Sequence, residues 1–193
     1  MTRGRAADSD VTEWALVARN GNPAAIERFI RATQRDVWWF IARLASRSVA
    51  DDLTQETYLR ALRTLPRFAG RSSARTWLLS IARRVVIDHI RAATARPRTA
   101  AIDDWQDAAD RQQPTGLPGI DDRVALDDLV AGLSGERREA FVLTQVLGLS
   151  YAEAADVCHC PVGTIRSRVA RAREELVALL NGAERFDGDA HTG

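Results

Sequence analysis

Apolar side chains recur every three or four residues along most of the chain, and this spacing limits its fold more than any other feature. Between residues 22 and 46 they include Phe29, Ile30, Val37 and Ile41, which would share one face of a helix with 3.6 residues per turn. No segment alternates with the period of two that is typical of strands. The sequence therefore predicts an all-α protein.

Turn and capping residues divide the periodic segments into helices. Asn22-Pro23 predicts a helix start, and Ser48 with Asp51 predicts a capped start for the next helix. Ser150 and Glu153 form a capping box further along. The predicted helices cover residues 22–46, 48–65, 74–95, 126–133, 136–147, 150–158 and 162–180, with a loop at 66–73.

One segment interrupts the helical pattern for more than twenty residues. Residues 97–122 contain three prolines and two glycines, with aspartates scattered between them, a composition typical of a mobile linker. We therefore expect two small helical domains joined by a flexible acidic linker. The first domain is expected at 12–96 and the second at 123–180, with disordered tails at 1–11 and 181–193.

Charge is unevenly distributed, although the chain as a whole carries only +1. Residues 1–96 hold 17 arginines against 9 acidic residues, and residues 97–135 hold 3 arginines against 8 aspartates. All 27 basic residues are arginine. A basic block followed by an acidic connector indicates modules with different partners.

Several functional classes are excluded or disfavoured by what the sequence lacks. An apolar run long enough to span a membrane, an apolar signal segment and the common nucleotide and hydrolase motifs are all missing. Cys158, His159 and Cys160 are adjacent and lack a plausible fourth ligand, so core packing is expected for Cys158. We expect a cytoplasmic protein without a cofactor, a metal or catalytic residues of its own.

The last two predicted helices are joined by a tight turn, which predicts a helix-turn-helix. The final helix would bury Ile165, Val169, Ala172, Leu176 and Leu179. Its opposite side carries hydroxyl and guanidinium groups, which suit phosphates and base edges in the major groove; these are Thr164, Ser167, Arg168 and Arg171, with Arg166 and Arg173 at the flanks. A merely solvated arginine-rich helix end is the alternative, and the preceding capped helix favours DNA binding.

The helix at 74–95 carries a second basic stripe, opposite apolar positions that include Trp77, Leu78 and Ile81. The stripe consists of Ser80, Arg84, Ile87 and Arg91, with Arg83 beside it. Next to a loop that carries Phe68, such a stripe suits single-stranded or melted DNA. Considered alone, the stripe is better explained as a solvated charged face.

A short acidic and polar cluster lies inside the otherwise basic first domain. It consists of Asp51, Asp52, Gln55 and Glu56. Such a patch repels DNA and suits a basic protein surface. Favourable interaction with the helix dipole is the alternative, and it explains Asp51 and Asp52 better than Gln55 and Glu56.

Three ordered motifs resemble bacterial RNA polymerase sigma factors. Residues 51–61 (DDLTQETYLRA) resemble the core-binding segment, and ARTWLLSIAR at 74–83 with DHIR at 88–91 resembles the promoter-melting helix. LSYAEAA at 149–155 with PVGTIRSRVARAR at 161–173 resembles the final helix-turn-helix. The short two-domain layout is similar to the extracytoplasmic-function (ECF) group, nearest its actinobacterial sigma-C type.

This resemblance implies a promoter-specificity subunit that directs core polymerase to −10 and −35 elements and promotes melting. It implies contact with the β′ clamp helices through Asp52, Gln55 and Glu56, contact with the β flap, and an anti-sigma factor as a further candidate partner. It places −10 recognition on Phe68, Gly70, Arg71, Ser72, Ser73, Ser80, Arg83, Arg84, Ile87 and Arg91. It places −35 recognition on Thr164, Arg166, Ser167, Arg168 and Arg171.

Arg84 departs from the asparagine that many ECF proteins carry at this position, so the −10 base preference does not follow by analogy. Two other interpretations of the whole chain stay open at this point. One is a stand-alone DNA-binding regulator, which leaves the acidic cluster unexplained. The other is a sigma-like interaction protein that binds core polymerase or an anti-sigma factor without initiating transcription.

Overall fold

The computed structural model describes residues 7–95 and 129–188, with side chains as far as Leu180, and this described part is helical without strands. The first half contains α1 (Asp8–Ala18), α2 (Pro23–Leu44), α3 (Ala50–Thr64), a 3₁₀ turn (Leu65–Arg67) and α4 (Ala74–Ala95). The second half contains helical residues 129–132, α5 (Gly135–Phe141) with a π-helical continuation (Val142–Val146), α6 (Tyr151–Cys158) and α7 (Val162–Gly188). The all-α prediction is confirmed.

Local capping explains two of the helix starts. Asn22 accepts a hydrogen bond from the Ala25 amide at 3.0 Å, and Pro23 occupies the first turn, where a missing amide hydrogen costs nothing. At the start of α6, the Ser150 hydroxyl accepts from the Glu153 amide while the Glu153 carboxylate accepts from the Ser150 amide. Both predicted starts are confirmed.

The predicted cap at Ser48 is wrong. Helix α3 begins at Ala50 and has no side-chain cap, because the Ser48 hydroxyl bonds Ser46 at 2.7 Å instead. The Asp51 carboxylate accepts from the Trp38 indole at 2.7 Å. The Asp51 carboxylate, which the local pattern predicts to accept from a backbone amide at the helix start, therefore accepts from a distant side chain instead.

The helix ends differ from the predicted tails. Helix α1 begins at Asp8, within the segment expected to be disordered, and α7 continues to Gly188, beyond the end expected at residue 180. The linker predicted at 97–122 lies outside the described residues. None of the described helices is both long and apolar enough to cross a membrane.

The apolar interiors of the two halves form one connected cluster. Phe29, Phe40 and Leu78 belong to the first half, and Leu143 and Ile165 to the second; each is fully buried. Contact between the halves is made chiefly by α4 against α6, with α2 lying against α5. The segment that precedes α4 and much of α4 itself are thereby brought next to the helix-turn-helix.

Candidate nucleic-acid interface

The loop before α4 is anchored by packing at its start. Phe68 is buried, and its ring lies 4.9 Å from that of Trp77, centroid to centroid. Gly70 has a φ of +68°, and a Cβ at this position would lie 3.4 Å from Leu16 Cδ2. A left-handed backbone conformation is far more accessible to glycine than to other residues. Phe68 and Gly70 therefore shape the loop, whereas Arg71 is exposed and free of such packing.

Ser73 ends this loop as the cap of α4. Its hydroxyl oxygen accepts from the Thr76 amide at 3.1 Å, and its carbonyl accepts from the Trp77 amide at 3.0 Å. A second hydroxyl, that of Thr12 on α1, accepts from the Ala74 amide at 3.0 Å. The start of α4 is therefore held by hydroxyls from two elements, which satisfy amides that a helix leaves unpaired.

Arg75 is a buried charge that sequence reasoning missed as a component of the site. Its Nε lies 2.8 Å from Asp36 Oδ2, and its Nη1 lies 3.7 Å from Asp8 Oδ1. Its Nη2 donates to the Leu147 carbonyl in the second half at 2.6 Å. One guanidinium thus connects α1, α2 and the turn before α6. No local sequence pattern predicts these contacts, because the partners are far from Arg75 along the chain.

The basic stripe predicted on α4 is divided in the structure. Arg84 and Arg91 are exposed, and Ser80 and Ile87 are half-buried. Arg83 points to the second half, where its Nε lies 2.6 Å from Glu139 Oε1 and its Nη2 lies 3.3 Å from Oε2. Burial lowers the pKa of Arg83, but the hydrogen bond and charge of Glu139 outweigh burial and raise it overall.

Further polar contacts cross between α4 and the helix-turn-helix. The Thr76 hydroxyl lies 3.4 Å from Glu153 Oε1, and Arg84 Nη2 lies 3.4 Å from His159 Nε2. Burial raises the pKa of Glu153, but hydrogen bonds from Ser150 and Thr76 prevail and lower it overall. The carboxylate of the capping box therefore has a second role, in the contact between halves.

Helix α7 presents most of its predicted polar face to solvent. Arg166, Ser167 and Arg171 are exposed, and Thr164 is half-buried. Arg168 is half-buried and contacts other parts of the second half. Its Nη2 lies 2.7 Å from Glu136 Oε2, and its Nη1 lies 3.9 Å from Cys160 Sγ. A shallow groove beside the helix is lined by residues 134–137 and by Thr164, Ser167, Arg168 and Arg171.

The buried stripe of α7 agrees with the sequence prediction except at its end. Ile165, Val169, Ala172 and Leu176 are buried, whereas Leu179 is 40% exposed. The turn before the helix is made by His159, whose φ is +53°. Cys158 is buried as expected, and this burial raises the pKa of its thiol.

The acidic cluster on α3 lies on a different helix from the basic faces. Asp52 and Gln55 are exposed. Glu56 accepts from Arg60 at 2.7 Å, and Arg60 also bonds Asp88 on α4 at 2.7 Å. An exposed anionic surface at the start of a helix suits a basic protein partner.

Comparison with known proteins places both halves in one family. Residues 29–96 match the model for sigma-70 region 2, and residues 123–176 match that for sigma-70, region 4. The ECF RNA polymerase sigma factor SigC of Mycobacterium tuberculosis is 54% identical over 92% of this chain and 95% of its own. The ECF RNA polymerase sigma-E factor of Escherichia coli is 30% identical over 86% of this chain and 93% of its own.

Solved structures agree with this assignment. The sigma factor RpoE of Bartonella quintana, solved with the anti-sigma factor NepR, superposes with a TM-score of 0.62 and 27% identity, over 80% of this chain and 96% of its own. CnrH, solved with the cytosolic domain of CnrY, shares the fold with a TM-score of 0.67 over 90% of this chain and 98% of its own, at 23% identity.

The matched regions, helix-turn-helix and basic helix α4 together define a promoter-specificity subunit of bacterial RNA polymerase. The chain belongs to the sigma-70 family, within its ECF group. It directs RNA polymerase to particular promoters and is a specificity subunit, not an enzyme by itself.

Proposed function

We propose that this chain, bound to core polymerase, recognises a −35 element with α7, recognises a −10 element with α4 and its preceding loop, and promotes DNA opening at the latter. The observation that carries the proposal is the separation of charge. Exposed arginines face outward from α4 and α7, whereas the acidic cluster, which is exposed at Asp51, Asp52 and Gln55, lies on α3. One chain thereby offers two surfaces suited to DNA and one suited to a basic protein.

The proposed −35 surface consists of Arg166, Ser167 and Arg171, with Thr164 at its edge. These residues are in the first half of α7; Thr164, Ser167 and Arg171 lie opposite the buried Ile165 and Val169, and Arg166 lies at the flank. A helix inserted into the major groove needs donors on the side away from its core, and arginine can donate to both guanine acceptors at once. Arg168 would contribute to this surface once its ion pair with Glu136 has broken.

The proposed −10 surface is formed by Arg71, Ser72, Ser80, Arg84 and Arg91. Arginines along one side of a helix hold a single-stranded backbone, and a neighbouring loop can accept an unstacked base. Phe68, Gly70 and Ser73 support this surface by fixing the loop. Ile87 would supply an apolar contact, and Arg83 a phosphate contact once it has separated from Glu139.

The proposed core-binding surface consists of Asp52, Gln55 and Glu56, which we expect to meet the β′ clamp helices, while the second domain meets the β flap. The protein is proposed to work in the cytoplasm. We also infer that an anti-sigma factor can occupy these surfaces, since RpoE of Bartonella quintana was solved with one.

Run-off transcription over a pool of genomic promoter fragments tests the proposed function. Transcripts that require both core polymerase and this chain are expected, and their start sites would identify the two promoter elements. Tight binding to a fragment without core, together with no transcripts, would instead support a stand-alone regulator. Binding to core without transcripts or DNA binding would support a sigma-like interaction protein.

Replacing Arg171 by alanine is expected to weaken promoter binding by the holoenzyme. The side chain is exposed on the proposed recognition face, and loss of a base contact costs about 1–3 kcal/mol, which is roughly 5- to 150-fold in affinity. Binding is measured on two duplexes that differ only in the −35 element. The variant should discriminate less between them.

Arg173→Ala is the matched control for this experiment. Arg173 lies on the same helix, at the flank, and donates to Gln145 at 2.8 Å. Its loss should leave the ratio of the two affinities unchanged, even if binding to both duplexes weakens slightly. An unaltered ratio for Arg171→Ala would remove Arg171 from the base-contacting set.

A further inference from the structure

The shallow groove beside α7 is formed by two elements of the second half. One wall is the polar side of α7, with Thr164, Ser167 and Arg171, and the other is the first turn of α5 with the serine before it, residues 134–137. The groove has a volume of about 550 Å³. Guanidinium and hydroxyl groups from both walls line it, and these are donors that suit an anion.

Arg137 is the arginine that α5 contributes to this groove. Its Nη1 donates to Glu175 Oε2 on α7 at 2.7 Å, and 37% of its side chain is exposed. Its Nε and Nη2 have no hydrogen-bond partner among the residues that the structure describes. Because the donors of a guanidinium are fixed in one plane, a single bond to a carboxylate orients the others. Glu175 therefore holds Arg137 beside α7 while two nitrogens stay available to an anion.

The charges at the groove favour an anion although two carboxylates are present. Glu136 also lines the groove, and its carboxylate pairs with Arg168 at 2.7 Å. Glu175 pairs with Arg137 in the same way, and Arg171 is left as an exposed positive charge. Three guanidinium groups thus stand against two carboxylates, and the excess of one positive charge lies on the proposed −35 surface.

The dimensions of DNA bring a phosphate backbone to this groove. An α-helix with its side chains is about 10–12 Å across, and the major groove is about 12 Å wide. A helix that fills the major groove therefore has a sugar-phosphate backbone along each of its sides. Thr164, Ser167 and Arg171 belong both to the proposed −35 surface and to the groove lining, so one of these backbones passes along the groove.

We propose that this groove binds a backbone phosphate beside the −35 element, that Arg137 donates to this phosphate, and that Glu175 is a positioning residue for Arg137. The inference rests on the proposed −35 role of α7. It extends the DNA-binding surface to α5, which lies outside the helix-turn-helix. A phosphate contact carries no sequence information directly, so Arg137 strengthens binding without selecting bases.

Arg137→Gln tests the proposal in the holoenzyme, on the two duplexes that differ only in the −35 element and at several salt concentrations. Each phosphate contact contributes about 0.9 to the slope of log affinity against log salt concentration. We expect about tenfold weaker binding to both duplexes, since a charged hydrogen bond is lost. Their affinity ratio should stay unchanged, and the slope should become less steep by about 0.9.

Arg31→Gln is the matched control. Arg31 pairs with Glu27 on α2, in the first half and outside the proposed DNA-binding surfaces. Its replacement removes one positive charge and one exposed ion pair, as Arg137→Gln does. The affinity and the salt slope of this variant should equal those of the wild type.

Glu175→Gln separates a phosphate contact from a merely structural ion pair. Exposed ion pairs contribute little to folding, so both variants should fold, which circular dichroism checks. Glu175→Gln keeps the guanidinium and should retain the wild-type salt slope, with a smaller loss of affinity than Arg137→Gln. Equal losses for the two variants, both with the wild-type slope, would show that the pair is only structural and would overturn the proposal.

Duplexes with a single neutral methylphosphonate beside the −35 element identify the phosphate. At one position the neutral group should weaken binding by the wild type but not by Arg137→Gln, and the absence of any such position would also overturn the proposal. Wild-type holoenzyme that does not discriminate between the two −35 duplexes would count against the proposed function itself. Normal discrimination, together with a wild-type salt slope for Arg137→Gln, would count only against the role of Arg137.

Discussion

Asp52→Arg is expected to abolish co-purification of the chain with core polymerase while its helical content stays unchanged. Asp52 is an exposed residue in the first turn of α3, within the proposed core-binding surface. An arginine at this position places like charges against a basic partner surface, and like-charge contacts across an interface cost several kcal/mol. Affinity-tag co-purification with core polymerase, alongside circular dichroism, measures both parts of the expectation.

Asp10→Arg is a closely matched control, because Asp10 is likewise the exposed third residue of a helix, α1. Both substitutions place a positive charge at a helix N-terminus and should cost a similar 0.3–1 kcal/mol, roughly, through the helix dipole. Only Asp52→Arg should lose core polymerase. Equal retention of core by both variants would contradict the assignment of the acidic cluster.

Arg75→Ala is expected to destabilise the first domain strongly. It removes the buried guanidinium that pairs with Asp36 at 2.8 Å and leaves that carboxylate desolvated, since only 14% of its side chain is exposed. Breaking a buried pair by deleting one member costs about 3–5 kcal/mol. Urea unfolding followed by circular dichroism gives the change in the free energy of unfolding.

Arg60→Ala provides the comparison for an exposed pair. Arg60 bonds both Glu56 and Asp88, but 39% of its side chain is exposed. Exposed pairs contribute only about 0–1 kcal/mol because water and salt screen them. If Arg75→Ala lowers the free energy of unfolding by no more than Arg60→Ala does, the buried network contributes little to folding.

Features that depend on neighbouring residues were predictable from sequence. The capping box at Ser150, the start of α2 at Asn22-Pro23 and the range of α4 each follow from a few adjacent residues, and each is confirmed. Ser48 and Asp51 form a similar local pattern, but the predicted cap is wrong. The Asp51 carboxylate accepts from the indole of Trp38, thirteen residues earlier. A local signal holds only where no distant side chain competes for the same atom.

The contacts between the two halves could not be predicted from the sequence, because they join residues that are far apart along the chain. Arg83 looked like one more arginine of a basic stripe, and its partner Glu139 is 56 residues away, across the predicted linker. Glu139 stands next to Ala140 and near Val142 and Leu143, which are all buried. An acid among such neighbours was the available signal that this carboxylate needs a cationic partner.

Helix α1 has a practical consequence for work on the isolated first domain. The family match for that domain begins only at residue 29, yet the Thr12 hydroxyl accepts from the Ala74 amide, Leu16 packs on Gly70, and Arg19 donates to the Phe68 carbonyl at 3.3 Å. A fragment that begins at residue 29 would keep every proposed −10 residue but would lose these contacts from α1 and Arg19, which hold the loop before α4 in place. Fragments for binding studies should therefore start before Asp8.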